Sequence, residues 1–251
     1  MLAAPPLQLR GVHLAFGPTR VLDGIDAEVP AGSRFGVVGP SGCGKSTLLA
    51  LLAGLLQPDR GTVAVGGASE PRARLARCAL MPQKDLLLPW RHALDNACLA
   101  LENHGVRRAR ARAQARPLFE RFGLAGFETT PPDQLSGGMR QRVAFIRTLL
   151  AGKPVLLLDE PFGALDSITR GQLQQWLADA LREEARTVVL VTHDVEEALL
   201  LCDQVAVLSA RPARVIHQLT VDVPRDGPRR RIVTDPAFLA CREELLEALE
   251  K

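Results

Sequence analysis

Glycines, a lysine and hydroxyl side chains lie in one short run at a spacing that suits phosphate binding. The run comprises Gly39, Pro40, Ser41, Gly42, Cys43, Gly44, Lys45, Ser46 and Thr47. Glycines allow a tight turn whose backbone N–H groups converge on one anion, and the dipole of a following helix adds positive potential. In this pattern we expect Lys45 to reach the β- and γ-phosphates and Ser46 to hold Mg²⁺. A glycine-rich turn without a ligand would need neither side chain, so the run predicts a nucleoside triphosphate site.

Two carboxylates end an apolar run later in the chain, where Asp159 and Glu160 follow residues 155–158. Consecutive Val and Leu residues indicate a central parallel strand that is covered on both faces. Carboxylates at the C-terminal end of such a strand lie where ligands bind in open α/β sheets. We therefore expect Asp159 to support Mg²⁺ and Glu160 to polarise an attacking water. The alternative, a pair that caps the next helix, is disfavoured because Pro161 follows directly.

A second glycine pair lies far from the first. Ser136, Gly137 and Gly138 precede a segment that is predicted to be helical to about residue 151. Serine and glycine at a helix start are again typical of an anion-binding geometry. The sequence therefore predicts two anion sites in one chain.

Two single side chains allow both a functional and a structural interpretation. Phe16 ends a predicted strand and could stack on a nucleotide base or pack in the core. His193 follows a buried strand, as Glu160 does, which favours a phosphate-facing role over a structural one.

The elements that must position these residues follow from hydrophobic periodicity. Buried or half-buried strands are predicted at residues 7–16, 21–29, 35–38, 62–65, 78–81, 155–159, 187–191, 204–208 and 215–219. Helices are predicted after the first glycine loop, across 92–126, from the second glycine pair to about 151, up to 184, at 195–202 and from Asp235 onward. Strands that alternate with helices predict the α/β class, with a small antiparallel sheet near the N-terminus.

Composition narrows the function classes. The 251 residues are 47% hydrophobic and 24% charged, which is ordinary for a globular protein, and a net charge of +3 is too mild to favour nucleic acid as the main partner. The basic run at 107–116 is a nucleic-acid patch or, as we favour, a solvated helix face. Five cysteines without C-x-x-C spacing disfavour a disulfide framework or a zinc site. Cys43 is expected to have a lowered pKa among phosphate-binding amides and to be oxidisable.

With these residues in place, the chain resembles the nucleotide-binding subunit of an ATP-binding-cassette (ABC) transporter. The resemblance covers residues 7–222. The motifs it matches, in family order, are an adenine-stacking aromatic (Phe16), the Walker A loop (39–47), the Q-loop (Gln83), the signature (Ser136, Gly137, Gly138 and Gln141), Walker B (Asp159), the catalytic glutamate (Glu160), the D-loop (Asp166) and the switch histidine (His193). Met139 stands where the family usually has glutamine, and Phe16 where it usually has tyrosine.

The resemblance implies a P-loop NTPase core with a mostly parallel sheet, an N-terminal antiparallel β subdomain and a helical signature subdomain at about 84–151. The cassette would span 1–222, followed by a linker and C-terminal helix at 223–251. Implied cofactors are ATP and Mg²⁺, with Ser46, Gln83 and Asp159 on the metal. The implied assembly is a head-to-tail dimer of cassettes, identical by expectation, in which the signature of one chain closes over the nucleotide of the other.

The family partners would be multi-span membrane permease subunits and a solute-binding protein, with no nucleic acid. The implied location is peripheral, at the cytoplasmic face of the plasma (inner) membrane. Residues 86–91 resemble the surface that receives a permease's coupling helix, and the alternative for Trp90 within this stretch is an ordinary core residue. Finer likeness is to importer subunits of the nitrate, sulfonate, taurine and pyrimidine-precursor group. A soluble ABC-type ATPase that acts on nucleic acid or ribosomes, and an exporter subunit, are the alternatives.

Overall fold

Two β-sheets form the framework of the chain. The computed structural model describes residues 4–163, 167–182, 185–225 and 227–250. The strands within these ranges are β1 (Leu7–Phe16), β2 (Thr19–Val29), β3 (Arg34–Val38), β4 (Arg60–Val65), β5 (Cys78–Met81), β6 (Val155–Asp159), β7 (Thr187–Thr192), β8 (Gln204–Leu208) and β9 (Val215–Thr220).

The larger sheet has the order β5-β6-β7-β3-β8-β9 and the smaller one the order β2-β1-β4. All neighbours in the larger sheet are parallel except β8 and β9, whereas the smaller sheet is antiparallel. The predicted α/β class and the N-terminal antiparallel sheet are confirmed. The third strand of that sheet, β4, comes from beyond the glycine loop.

Helices cover the larger sheet and separate it from the smaller one. Within the described ranges they are α1 (Lys45–Leu52), α2 (Pro71–Arg77), α3 (Ala93–Ala97), α4 (Leu99–Asn103), α5 (Arg108–Arg121), α6 (Gly137–Leu150), α7 (Ser167–Arg182), α8 (Val195–Leu201), α9 (Arg229–Val233) and α10 (Pro236–Leu249). A short 3-10 turn precedes α6. None of these helices combines the length and the apolar composition needed to cross a lipid bilayer.

Two hydrophobic cores lie on opposite faces of the six-stranded sheet. Along β6, Val155 and Leu157 face the core that contains α1 and the antiparallel sheet, while Leu156 and Leu158 face the core beneath the helices. All four side chains are fully buried. The uninterrupted apolar sequence of β6 therefore reflects burial on both faces, as predicted for a central parallel strand.

Two helices occur where no helix was predicted. Helix α2 buries the arginine Arg74, whose guanidinium donates to the carbonyl oxygens of Val63 at 3.1 Å and Leu56 at 3.0 Å. Helix α9 lies in the basic stretch that was interpreted as a linker, and there Arg229 binds Gln174 and Glu196. Both helices are held by tertiary contacts of arginine, which hydrophobic periodicity does not reveal.

Candidate functional site

The glycine loop joins β3 to α1 in the predicted strand–loop–helix arrangement. Gly42 and Gly44 adopt φ angles of 75° and 125°, which favour glycine. A Cβ at Gly44 would also lie 2.9 Å from the Val21 side chain. Gly44 is the N-cap of α1, and no side chain caps this helix. The first N–H groups of α1 are thus left for a ligand, as an anion site requires.

Lys45, the first residue of α1, is held at the base of this loop. Its side chain is 5% exposed, and its ammonium donates to the carbonyl oxygens of Gly39 at 2.8 Å and Pro40 at 3.1 Å. The same nitrogen lies 3.7 Å from a carboxylate oxygen of Glu160. The lysine charge is therefore fixed between the phosphate loop and the end of β6, although β6 is not adjacent to β3 in the sheet.

Ser46 and Asp159 bring two oxygen atoms together. The Ser46 hydroxyl donates to Asp159 Oδ1 at 3.0 Å. Burial raises the pKa of Asp159, the hydrogen bond from Ser46 lowers it, and the neighbouring Glu160 charge raises it again. Within the described residues, no group of three or more His, Cys, Asp or Glu side chains could hold a metal ion. A hydroxyl and one carboxylate are nevertheless the hard oxygen ligands that suit Mg²⁺ when substrate phosphates complete its shell.

Glu160 is the point at which three elements of the site meet. Its carboxylate accepts a hydrogen bond from the Gln83 amide at 2.9 Å and lies 3.3 Å from His193 Nδ1. Its backbone has a φ of 42°, rare for a residue other than glycine, and its N–H donates to the Val191 carbonyl on β7 at 2.9 Å. The carboxylate faces the loop and the histidine, so the interpretation as a helix cap is wrong.

An open cleft of about 380 Å³ connects these groups. Its walls consist of Phe16, Val21, Ser41, Gly42, Gly44, Lys45, Ser46, Thr47, Gln83, Glu160 and Arg211. Phe16 is 51% exposed, so the interpretation as a core residue is wrong, and its ring is free to stack on a ligand. Most walls were expected from the sequence, but Arg211 was not.

The position of Arg211 in the chain could have indicated that it lies at the cleft. It follows β8, which pairs in parallel with β3, so its loop leaves the sheet at the same edge as the glycine loop. The sequence pattern predicts a strand at 204–208, but no motif distinguishes the residues that follow it.

The burial and the pKa of Cys43 differ from those expected from the sequence. The side chain is 2% exposed and belongs to the core around α1. Burial raises the pKa of the Cys43 thiol, and the opposing charge of Lys45 is the smaller effect. The expected lowering of the pKa is therefore wrong, because burial of the thiol in apolar packing outweighs the Lys45 charge and the backbone N–H groups of the loop.

The second glycine pair begins α6 but does not line the cleft formed by the described part of the chain. The Ser136 hydroxyl caps this helix by accepting a bond from the Met139 N–H at 3.2 Å. Gln141 is nearly buried, and its amide reaches the Gln83 carbonyl at 3.4 Å. Asp166, the D-loop residue, lies outside the described residues.

Comparison with known proteins agrees with this geometry. Residues 22–163 match the ABC transporter family. The chain is 48% identical to the aliphatic sulfonates import ATP-binding protein SsuB 1 of Rhodococcus jostii (strain RHA1), covering 97% of this chain and 93% of that protein. It is 40% identical to the taurine import ATP-binding protein TauB of Burkholderia pseudomallei (strain 1710b), covering 93% and 91%.

Solved structures have the same fold. A dimeric structure of MJ0796, a bacterial ABC transporter cassette, has a TM-score of 0.72 and 28% identity, over 86% of this chain and 98% of that one. The structure of cbiO1 from Clostridium perfringens has a TM-score of 0.76 at 22% identity, covering 96% and 95%. From the family match, the identities over nearly the whole chain and the shared fold, it follows that this chain belongs to the ABC transporter family.

Proposed function

We propose that this chain is the ATP-hydrolysing subunit of an ABC importer, which couples nucleotide binding and hydrolysis to solute transport through a separate permease. The observation that carries the proposal is the position of Glu160, whose carboxylate is held by Gln83 and His193 beside the phosphate-loop lysine. A carboxylate at this position can orient and polarise a water for attack on the terminal phosphate.

In this mechanism each residue has one task. The phosphate-loop N–H groups and Lys45 bind the phosphates, Phe16 stacks on the base, and Glu160 holds the attacking water. His193, within reach of Glu160, orients that carboxylate toward the phosphate end of the cleft. Mg²⁺, bound through Ser46 and Asp159 with Gln83 nearby, would supply charge neutralisation at the phosphates. Electrostatic positioning of this kind supplies most of the catalysis of phosphoryl transfer.

A second cassette, identical by expectation, would complete the site. The signature residues Ser136, Gly137 and Gly138 begin α6 and are absent from the cleft of their own chain, as far as the described residues go. Contact with a nucleotide bound to another copy would give their N–H groups an anion to bind. The dimeric structure of the MJ0796 cassette supports this arrangement. We expect Gln141 to belong to the same interface, and the D-loop role of Asp166 stays a prediction.

Residues 86–91, which we term the docking segment, present an apolar surface that suits a permease. Trp90 is 76% exposed and Leu86 59% exposed, so Trp90 is not a core residue. The segment is nevertheless fixed, since Arg147 donates to the carbonyls of Asp85 at 2.6 Å and Leu86 at 2.9 Å. Exposed apolar side chains on a rigid support are typical of protein interaction sites.

The relatives support a sulfonate or taurine type of solute within the broader importer group, together with a solute-binding protein. They also support a peripheral location at the cytoplasmic face of the membrane, where a permease would hold the subunit. The proposed cassette spans 1–222 with its helical part at about 84–151, and α9 and α10 form the segment beyond it.

The test is purification of the complex from membranes of the native host, followed by reconstitution in vesicles. We expect a multi-span permease to co-purify and ATP-dependent uptake of taurine or an alkanesulfonate to follow. A Trp90→Ala chain should still hydrolyse ATP alone but lose most association with the permease. Co-purification of nucleic acid or ribosomes in place of a permease would contradict the importer function and leave the ATPase chemistry standing.

A further inference from the structure

Arg211 lies in the loop between β8 and β9 and reaches across to the phosphate loop. Its Nε donates to the Gly42 carbonyl at 3.1 Å, and a terminal nitrogen of the same guanidinium donates to the same oxygen. The side chain is exposed on one wall of the nucleotide cleft. A carbonyl oxygen within a phosphate-binding loop is a negative dipole end, so a cation bound to it removes a repulsive contact for an anionic ligand.

Two backbone hydrogen bonds of Ala213 hold the loop that carries Arg211 against β2. The Ala213 N–H donates to the Val21 carbonyl at 2.9 Å, and the Ala213 carbonyl accepts from the Asp23 N–H at 2.9 Å. Arg214 adds a bond from its Nε to the Asp23 carboxylate at 3.0 Å. Arg211 therefore projects from a fixed support, and the entropy lost when it binds a ligand is reduced.

The charge of Arg211 is not compensated in the described part of the chain. Lys45, the other cation in the cleft wall, has the Glu160 carboxylate 3.7 Å away. For Arg211 the described residues offer only the Gly42 carbonyl, and no carboxylate within ion-pair distance. A guanidinium has five N–H donors in a planar fork that matches phosphate oxygens, so donors remain after Gly42 is bound.

We propose that Arg211 is a nucleotide-binding residue that donates to a phosphate oxygen of the bound nucleotide while it holds the Gly42 carbonyl. This inference rests on the proposed function, because it assigns a residue to the same triphosphate site. It adds a contact from β8 to those from β3, β6 and β7, at a position outside the motifs that identify the family.

The test compares the wild-type protein with Arg211→Ala, Arg211→Lys and the charge-matched control Arg10→Ala. Arg10 lies on the surface of β1, paired with Glu28 at 3.8 Å. Two probes are titrated by calorimetry at constant Mg²⁺: the β,γ-imido analogue of ATP and inorganic triphosphate. We expect Arg211→Ala to weaken both roughly tenfold, as loss of a charged hydrogen bond at an open site predicts. Arg211→Lys should recover part of the affinity, and Arg10→Ala should bind as the wild type does.

The dependence of the dissociation constant on ionic strength distinguishes direct phosphate binding by Arg211 from a purely structural role. Loss of one cation–phosphate contact makes the dissociation constant of Arg211→Ala less sensitive to salt than that of the wild type, whereas a rearranged loop alone would not. Equal affinities of wild type and Arg211→Ala, or weakening of the ATP analogue without weakening of triphosphate, would overturn the inference and leave the proposed function intact. A wild-type protein that binds neither probe would overturn both.

Discussion

The side-chain amide of Gln83 donates to the carboxylate of Glu160 at 2.9 Å, which joins the end of β5 to the end of β6 at the reacting edge of the sheet. Gln83 is two residues after β5, and the docking segment starts three residues later. We therefore expect a change in the position of this segment to act on Glu160 through this hydrogen bond. The proposed partner surface is thus connected to the proposed catalytic group by a few residues of backbone and one hydrogen bond.

Replacement of Glu160 by glutamine should abolish turnover while nucleotide still binds. The amide keeps the size of the side chain but cannot accept a proton from water, so we expect hydrolysis to fall about a thousandfold, within the range for general-base removal. Phosphate release and calorimetric binding of ATP are the two measurements. The control is Glu28→Gln on the exposed face of β2. Normal turnover by Glu160→Gln would remove Glu160 from the mechanism.

Replacement of Gly163 by alanine tests how closely Glu160 is positioned. A Cβ at this residue would lie 3.3 Å from Glu160 Oε2 and 3.6 Å from Gln83 Nε2. The carboxylate must then shift by a few tenths of an ångström, and we expect kcat to fall about tenfold with little change in ATP affinity. Gly171→Ala is the matched control, because its Cβ meets nothing within 4 Å. Equal kcat values for the two variants would show that the position of Glu160 tolerates this shift.

The buried Glu197 should make stability fall as pH rises. Burial raises its pKa from 4.5 to about 8, the Thr192 hydroxyl opposes the shift at 2.9 Å, and the Asp194 charge adds to it. Between pH 4.5 and about pH 8 the unfolded chain has lost this proton and the folded chain retains it. The contribution of Glu197 to the free energy of unfolding therefore falls by up to about 1.4 kcal/mol per pH unit.

In Glu197→Gln this dependence should disappear. The free energy of unfolding of both proteins is measured with urea at pH 5.5 and pH 8. We expect the variant to gain stability relative to the wild type as pH rises. Glu247→Gln, on the exposed face of α10, is the control. A wild type and a Glu197→Gln variant with parallel pH profiles would contradict the buried neutral acid.

Thiol labelling should distinguish Cys43 from Cys241. Burial raises the pKa of both thiols, but Cys43 is buried whereas Cys241 on α10 is only half-buried. Because the thiolate is the reactive form and access is needed, a maleimide at neutral pH should label Cys241 at least tenfold faster. Peptide mapping by mass spectrometry follows both sites. Faster labelling of Cys43 would restore the expectation of a reactive thiol in the phosphate loop.

Much of the fold could be predicted because burial leaves a regular pattern in the sequence. Strand β1 alternates because one of its faces is buried. Residues 155–158 of β6 and 188–191 of β7 are all apolar because both faces of these strands are buried. The site residues Lys45 and Glu160 could be predicted because their types and neighbours are tied to phosphate chemistry. Their meeting at 3.7 Å depends on sheet order, which local pattern does not specify.

The features that were missed depend on long-range contacts of polar side chains. The buried side chain of Arg74 anchors the short, largely exposed helix α2, and Arg211 reaches the cleft from a loop with no distinctive composition. The expectation for Cys43 was wrong for a related reason, because its burial depends on packing against residues that are distant in sequence.

Helix α6 connects two regions of the chain that are distant in sequence. The signature begins at its N-terminus, and Arg140 and Arg147 along its length hold Asp85, the first at 3.1 Å through the carboxylate. Its 14 residues span about 21 Å and resist bending far more than a loop does. We therefore expect a displacement of the docking segment, which Arg147 also holds at the Leu86 carbonyl, to move Ser136 together with the whole helix.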